Sequence, residues 1–101
     1  MAYSTTTSVK AILQITEVTW DTEIGACITS ADALVDSFLK REGLTVPVSV
    51  PQNIVDASAH FAAWLFRRRR DPVLADVFWT EGNRFLSAYI EGETQPHVGM
   101  V

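Results

Sequence analysis

Cysteine and histidine are scarce in this sequence: Cys27, His60 and His97 are all that its 101 residues contain. A lone cysteine excludes an internal disulfide framework and a cysteine-rich zinc site. No glycine-rich phosphate loop, paired-histidine metal motif or nucleophile elbow appears, so the convergent acids, bases and ligands that build an active site are missing. We therefore expect no catalytic residue, no metal site, no cofactor and no enzymatic activity. Long hydrophobic runs are missing too. The apolar stretches last a few residues, against the roughly 20 needed to cross a bilayer. Met1 to Thr7 is polar and lacks the basic start and apolar stretch of a secretion signal. The expectation is a soluble chain made in a reducing cytoplasm, without a membrane partner. Positive charge is also short: 8 basic against 12 acidic residues give a formal charge of −4. That balance does not suit a general nucleic-acid binder, which needs clustered cations to neutralise phosphates.

What is present is apolar surface. Hydrophobic residues form 48% of the chain and charged residues only 20%. A domain this small buries a modest core, so the surplus belongs in a subunit interface.

The punctuation divides the chain into four helical stretches, and the spacing predicts an all-α fold. This is a small bundle of about four helices with one extended proline-containing loop and a flexible C-terminal tail. The first helix is short: Ser4 to Ser8 offers capping hydroxyls, and Val9, Ile12 and Leu13 follow at i, i+3, i+4. Ile15 to Thr19 reads as a connector. The second helix is expected to start with Asp21 as N-cap. Its apolar stripe is Ile24, Ile28, Ala31, Val35 and Phe38, widened by Cys27, Leu34 and Leu39, and Gly43 ends it. Asp32, Asp36 and Lys40 fall on its other side.

Leu44 to Val50 reads as extended because of its β-branched residues and Pro47. Ser49 and Gln52 have capping-box spacing, with Pro51 in the first turn. The third helix then buries Ile54, Ala57, Phe61, Trp64 and Leu65. Asp71-Pro72 marks a corner, with Asp71 capping a fourth helix. Its inner side is expected to carry Leu74, Val77, Phe78, Phe85, Tyr89 and Ile90. Gly82 weakens this helix by about 1 kcal/mol relative to Ala and marks a bend or a close approach. The domain is placed at residues 1–92 and the aperiodic tail at residues 93–101.

Each chemically interesting residue has a structural explanation. His60 reads as a structural histidine of the third helix, and His97 has no partner near it in sequence. Cys27 reads as a small core residue. Asp32 and Asp36 stand one turn apart and read as a solvated acidic face in preference to a cation site. Arg67, Arg68, Arg69 and Arg70 are the most unusual local feature. Three roles stay open for them: capping the third helix in its last turn, pairing with an acidic neighbouring subunit, or touching DNA phosphates. Successive helical residues fan out by about 100°, so one arginine at least must face the core and snorkel. Trp20, Trp64 and Trp79 are many tryptophans for so small a domain, and they read either as closing the edges of the core or as anchoring an interface. Trp20 and Trp79, with the four arginines, are the candidate subunit or partner interface.

The order of these elements resembles the head–tail connector, or adaptor, family of tailed bacteriophages. The resemblance covers residues 3 to about 91. It rests on Tyr3, Val9 and Lys10, then on Ile24, Ile28, Ala31, Leu34, Val35 and Asp36. A proline-containing extended segment follows, and then Pro51, Ile54, Val55 and the stretch from Ala59 through Arg70. These motifs are a pattern of helix lengths and hydrophobic positions. The resemblance implies a viral structural protein of the virion neck, assembled in the host cytoplasm. It implies a homo-oligomeric ring, commonly of twelve subunits, that docks beneath the portal protein. The ring would join the portal to a stopper or tail-completion protein and surround DNA passing without sequence-specific binding. It also implies that Gly92, Glu93, Thr94, Gln95, Pro96, His97, Val98, Gly99, Met100 and Val101 reach the portal. Small tail-completion proteins of Mu-like phages share this sequence look. A small DNA-binding regulator is a further alternative, suggested by the arginines beside the Asp71-Pro72 corner.

Overall fold

Thr5 opens the first helix by a reciprocal cap: its hydroxyl accepts from the Ser8 amide at 3.1 Å, and its own amide donates to the Ser8 hydroxyl. From this start the computed structural model, which describes residues 3–45 and 50–94, is all-α. Helix α1 spans Thr6–Leu13, a short 3-10 turn spans Val18–Trp20, and α2 spans Asp21–Arg41. Helices α3 (Gln52–Arg67) and α4 (Pro72–Thr94) complete the bundle. The described residues contain no strand. The middle of the proline-containing loop (residues 46–49) and residues 95–101 lie outside them.

Two helix starts differ from expectation, by one position in α2 and two in α3. Trp20, not Asp21, is the N-cap of α2, and the Asp21 carboxylate instead takes Lys10 of α1 at 2.9 Å. Pro51 is the N-cap of α3, where its missing amide hydrogen costs nothing, and its carbonyl accepts from Ile54 and Val55. Gln52 reaches forward to Asp56 at 2.9 Å, and Ser49, its expected capping partner, lies outside the described residues. Gly43 ends α2 as expected. Its φ of 77° is left-handed, its amide reaches the Lys40 carbonyl, and the Leu44 amide reaches that of Leu39 at 2.8 Å. Asp71 caps α4 through the Leu74 amide at 3.1 Å.

Helix α3 is the central element and packs against α1, α2 and α4. The expected stripe accounts for only part of its burial. Ile54, Ala57 and Phe61 are buried, but Trp64 and Leu65 are half-buried. Ser58, Ala59, Ala62, Ala63 and Phe66 are buried as well. The reason is that α3 has neighbours on three sides, so small residues must be packed where a two-layer helix would face water.

The inner face of α4 also differs from expectation. Ala75, Phe78, Gly82 and Leu86, spaced three, four and four apart, face the core. Leu74 and Val77 face solvent, and Phe85, Tyr89 and Ile90 are half-buried. Gly82 sets this register: a Cβ there would sit 2.7 Å from Cε1 of the fully buried Phe61 ring. Close approach is therefore its role. The helix runs on through Gly92 into Glu93 and Thr94, because a glycine costs an interior position about 1 kcal/mol without forbidding it.

Gly82→Ala should gain helix propensity of about 1 kcal/mol yet lose stability overall, since overpacking a rigid core costs about 1–3 kcal/mol. Urea denaturation should show a lower midpoint, and Phe61→Leu in the same chain should relieve part of the loss.

Candidate functional site

The four arginines begin where α3 runs out. Only Arg67 is within the helix; Arg68 is its C-cap, and Arg69 and Arg70 form the turn that leads to Asp71. The run thus straddles the α3–α4 corner instead of filling the last helical turn. The difference follows from Pro72, which disfavours helical conformation at the residue before it. The Arg70 and Asp71 amides both close back on the Arg67 carbonyl at 2.8 Å.

The corner gives the arginines different tasks. Arg70 is held by the fold. Its two terminal nitrogens donate to the two carboxylate oxygens of Glu23 at 3.1 and 3.2 Å, and one also donates to the Phe66 carbonyl at 2.7 Å. Its guanidinium lies 4.6 Å from the Phe66 ring centroid and 5.1 Å from that of Trp20. Arg67 is the snorkelling member: it is half-buried, and its Nε is buried without a hydrogen-bond partner among the described residues. Arg68 lies over the Trp64 ring at 5.0 Å. Arg68 and Arg69 are exposed and form no ion pair with the described carboxylates.

The tryptophans join these elements. Trp20 is half-buried and meets Phe66 edge-on at 5.7 Å. Trp79 is half-buried too, with centroids 4.5 Å from Trp64, 5.2 Å from Phe61 and 6.4 Å from Phe38. Both therefore make contacts within the chain, each with part of its surface open. Beside them runs an open groove of about 400 Å³ lined by Leu34, Trp64, Leu65 and Arg68, with the small residues Ser30, Ala33 and Ser37 along α2. Its continuation past Arg68 reaches Arg69 and Cys27. Cys27 is half-buried at this edge and not a full core residue, and burial together with nearby Glu23 pushes its thiol pKa up.

On the far side of the corner, α4 starts with apolar residues in water. Val73 is 80% exposed, Val77 54% and Leu74 38%. Sequence reading assigned Leu74 and Val77 to the core and so missed this surface. The signal that identifies it is Gly82, because a helix seated on Phe61 through that glycine turns both residues outward.

Asp32 and Asp36 are not a solvated acidic face. Both are half-buried and hold the N-terminal segment to α2 and α3. Asp32 accepts from the Tyr3 amide at 3.1 Å and from the Ser58 hydroxyl at 2.6 Å, and Asp36 accepts from the Tyr3 hydroxyl at 2.5 Å. Since the one Ser58 proton goes to Asp32, the buried Ser4 hydroxyl donates to Ser58 at 2.8 Å. Among the described residues no group of three or more His, Cys, Asp or Glu side chains is placed to hold a metal ion. His60 is half-buried, with Nδ1 2.8 Å from the Asp56 carbonyl and its ring 5.3 Å from that of Phe85. Of the segment read as portal-contacting, Gly92, Glu93 and Thr94 are the end of α4, and 95–101, with His97, lie outside the described residues.

Burial and the Asp36 hydrogen bond push the Tyr3 hydroxyl pKa well above its ordinary value. A raised folded-state value means that the neutral phenol contributes stability below about pH 10, lost as pH rises beyond that. Tyr3→Phe should cost about 1.5–3 kcal/mol near neutral pH. It should also flatten the alkaline decline measured by urea denaturation, and a variant with the wild-type profile would contradict this assignment. No family model, no curated protein and no solved structure matches this chain.

Proposed function

We propose that this chain is a head–tail connector subunit of a tailed bacteriophage, acting by binding proteins and not by catalysis. Copies form a ring in the virion neck. The ring sits between the portal protein and a stopper or tail-completion protein, and DNA passes through it without sequence-specific recognition.

The observation that carries this reading is the solvent-facing apolar start of α4 beside the exposed Arg68 and Arg69. Contiguous exposed apolar residues next to arginines that form no ion pair with the described carboxylates are the composition of a protein-binding surface. The resemblance of the helix order, from Tyr3 to the arginine run, to connector proteins supplies the kind of partner. The acidic balance of the chain, −4 overall, fits a channel wall that repels DNA.

Arg68 and Arg69 also motivate a second reading, a small DNA-binding regulator, since two exposed cations stand at a helix–helix corner. The exposed Val73 and Leu74 weigh against it, because base-reading helices present polar residues in their first turn.

Light scattering on a size column tests the assignment, first on the chain alone and then with a portal protein. The expected result is a closed multi-subunit species, or one that forms on the portal. An 11.2 kDa monomer indifferent to the portal would refute it. Salt-dependent duplex binding, lost on replacing Arg68 and Arg69 with Ala, would favour the regulator.

A further inference from the structure

Two surfaces of complementary character flank the α3–α4 corner. One is a ridge, the exposed Val73, Leu74 and Val77 at the start of α4, bordered by the exposed carboxylates of Asp71 and Asp76. Neither carboxylate is in an ion pair with the described residues. The other is the groove between α2 and α3, floored by Leu34, Trp64 and Leu65 and rimmed by Arg68 and Arg69. Its α2 wall is made of Ser30, Ala33 and Ser37, side chains short enough to let a second helix come close.

We infer that the ridge of one copy seats in the groove of the next. The apolar residues of the ridge would cover Trp64 and Leu65. Its two carboxylates would meet the two arginines that no described carboxylate of their own chain engages. Arg70 takes no part, since Glu23 and the Phe66 carbonyl already occupy it. Arg68, stacked on Trp64, is pre-positioned at the groove edge, which lowers the entropy cost of pairing. Ridge and groove are different surfaces, so the contact is heterologous and each copy has one of each to offer. Such a contact closes into a ring when its rotation divides the circle. This inference rests on the connector reading and names the faces through which that ring is built.

Two variants with changes at exposed positions test it. Arg68→Glu with Arg69→Glu reverses the groove rim, and Val73→Gln with Val77→Gln makes the ridge polar. Both should keep the helical circular dichroism of the wild type. Each alone should associate roughly tenfold or more weakly than the wild type. Mixed in equal amounts, they should form a two-subunit particle and stop there. One intact ridge then meets one intact groove, while the remaining altered faces repel or ignore each other. Variants that assemble like the wild type would overturn the inference and leave the connector reading standing. A wild-type chain that stays single alone and with a portal protein would overturn both. A chain that stays single but binds the portal through the groove, with binding lost in the Arg68/Arg69 variant, would assign the groove to that protein and not to a second copy.

Discussion

Helix α3 is surrounded, and the rest of the molecule is arranged by what its sequence lets its neighbours do. Ala57, Ser58, Ala59, Ala62 and Ala63 are all buried, so three helices approach the same sixteen-residue segment. Where α3 carries a large side chain, the partner must give way. Phe61 is fully buried, and Gly82 of α4 supplies the missing volume. That single close approach fixes the rotation of α4 and thereby decides which of its apolar residues enter the core. Val73, Leu74 and Val77 are left in water as a consequence of packing a turn or two further along.

The same constraint separates structural from available charge at the corner. Helix α2 begins beside the end of α3, which brings Glu23 and Trp20 to Arg70 and Phe66. Arg70 thereby becomes part of the fold, while Arg68 and Arg69 remain on the surface with no described carboxylate. Asp71 is committed locally as the cap of α4 by one oxygen. Farther along α2, Asp32 and Asp36 hold Tyr3, and Asp32 through Ser58 holds Ser4. Two acids that look like surface charge in the sequence are hydrogen-bond acceptors that tie the N-terminal segment down.

Helix number, a hydroxyl cap for α1 somewhere in Ser4 to Ser8, the cap at Asp71 and the left-handed stop at Gly43 were legible, because each depends on chemistry within a few residues. The stripe of α2 was legible as well: Ile24, Ile28, Ala31 and Val35 repeat on one face and are buried. What was not legible depends on a distant partner. The full burial of α3 was only partly legible: its polar side is confined to Gln52, Asp56 and His60, and the burial of Ala59, Ala62, Ala63 and Phe66 depends on neighbours distant in sequence. Leu74 and Val77 match a core stripe as well as Phe78 does, and only the contact between Gly82 and Phe61 distinguishes them. The roles of Asp32 and Asp36 required Tyr3, some thirty positions away, to be folded back.

For the candidate site, the sequence drew attention to the arginine run and to Trp20 and Trp79 and required one arginine to snorkel, without showing that Arg70 is held by Glu23 while Arg68 and Arg69 stay exposed. The ridge was missed altogether. A surface that joins exposed apolar residues to charges of both signs that form no ion pair among the described residues suits repeated assembly of one chain. The most direct measurement is an electron-microscopy reconstruction of the assembled particle. Our account predicts closed rings in which the start of α4 in each subunit lies in the α2–α3 groove of its neighbour. An assembly that leaves Val73 and Val77 facing solvent and the groove empty would contradict it.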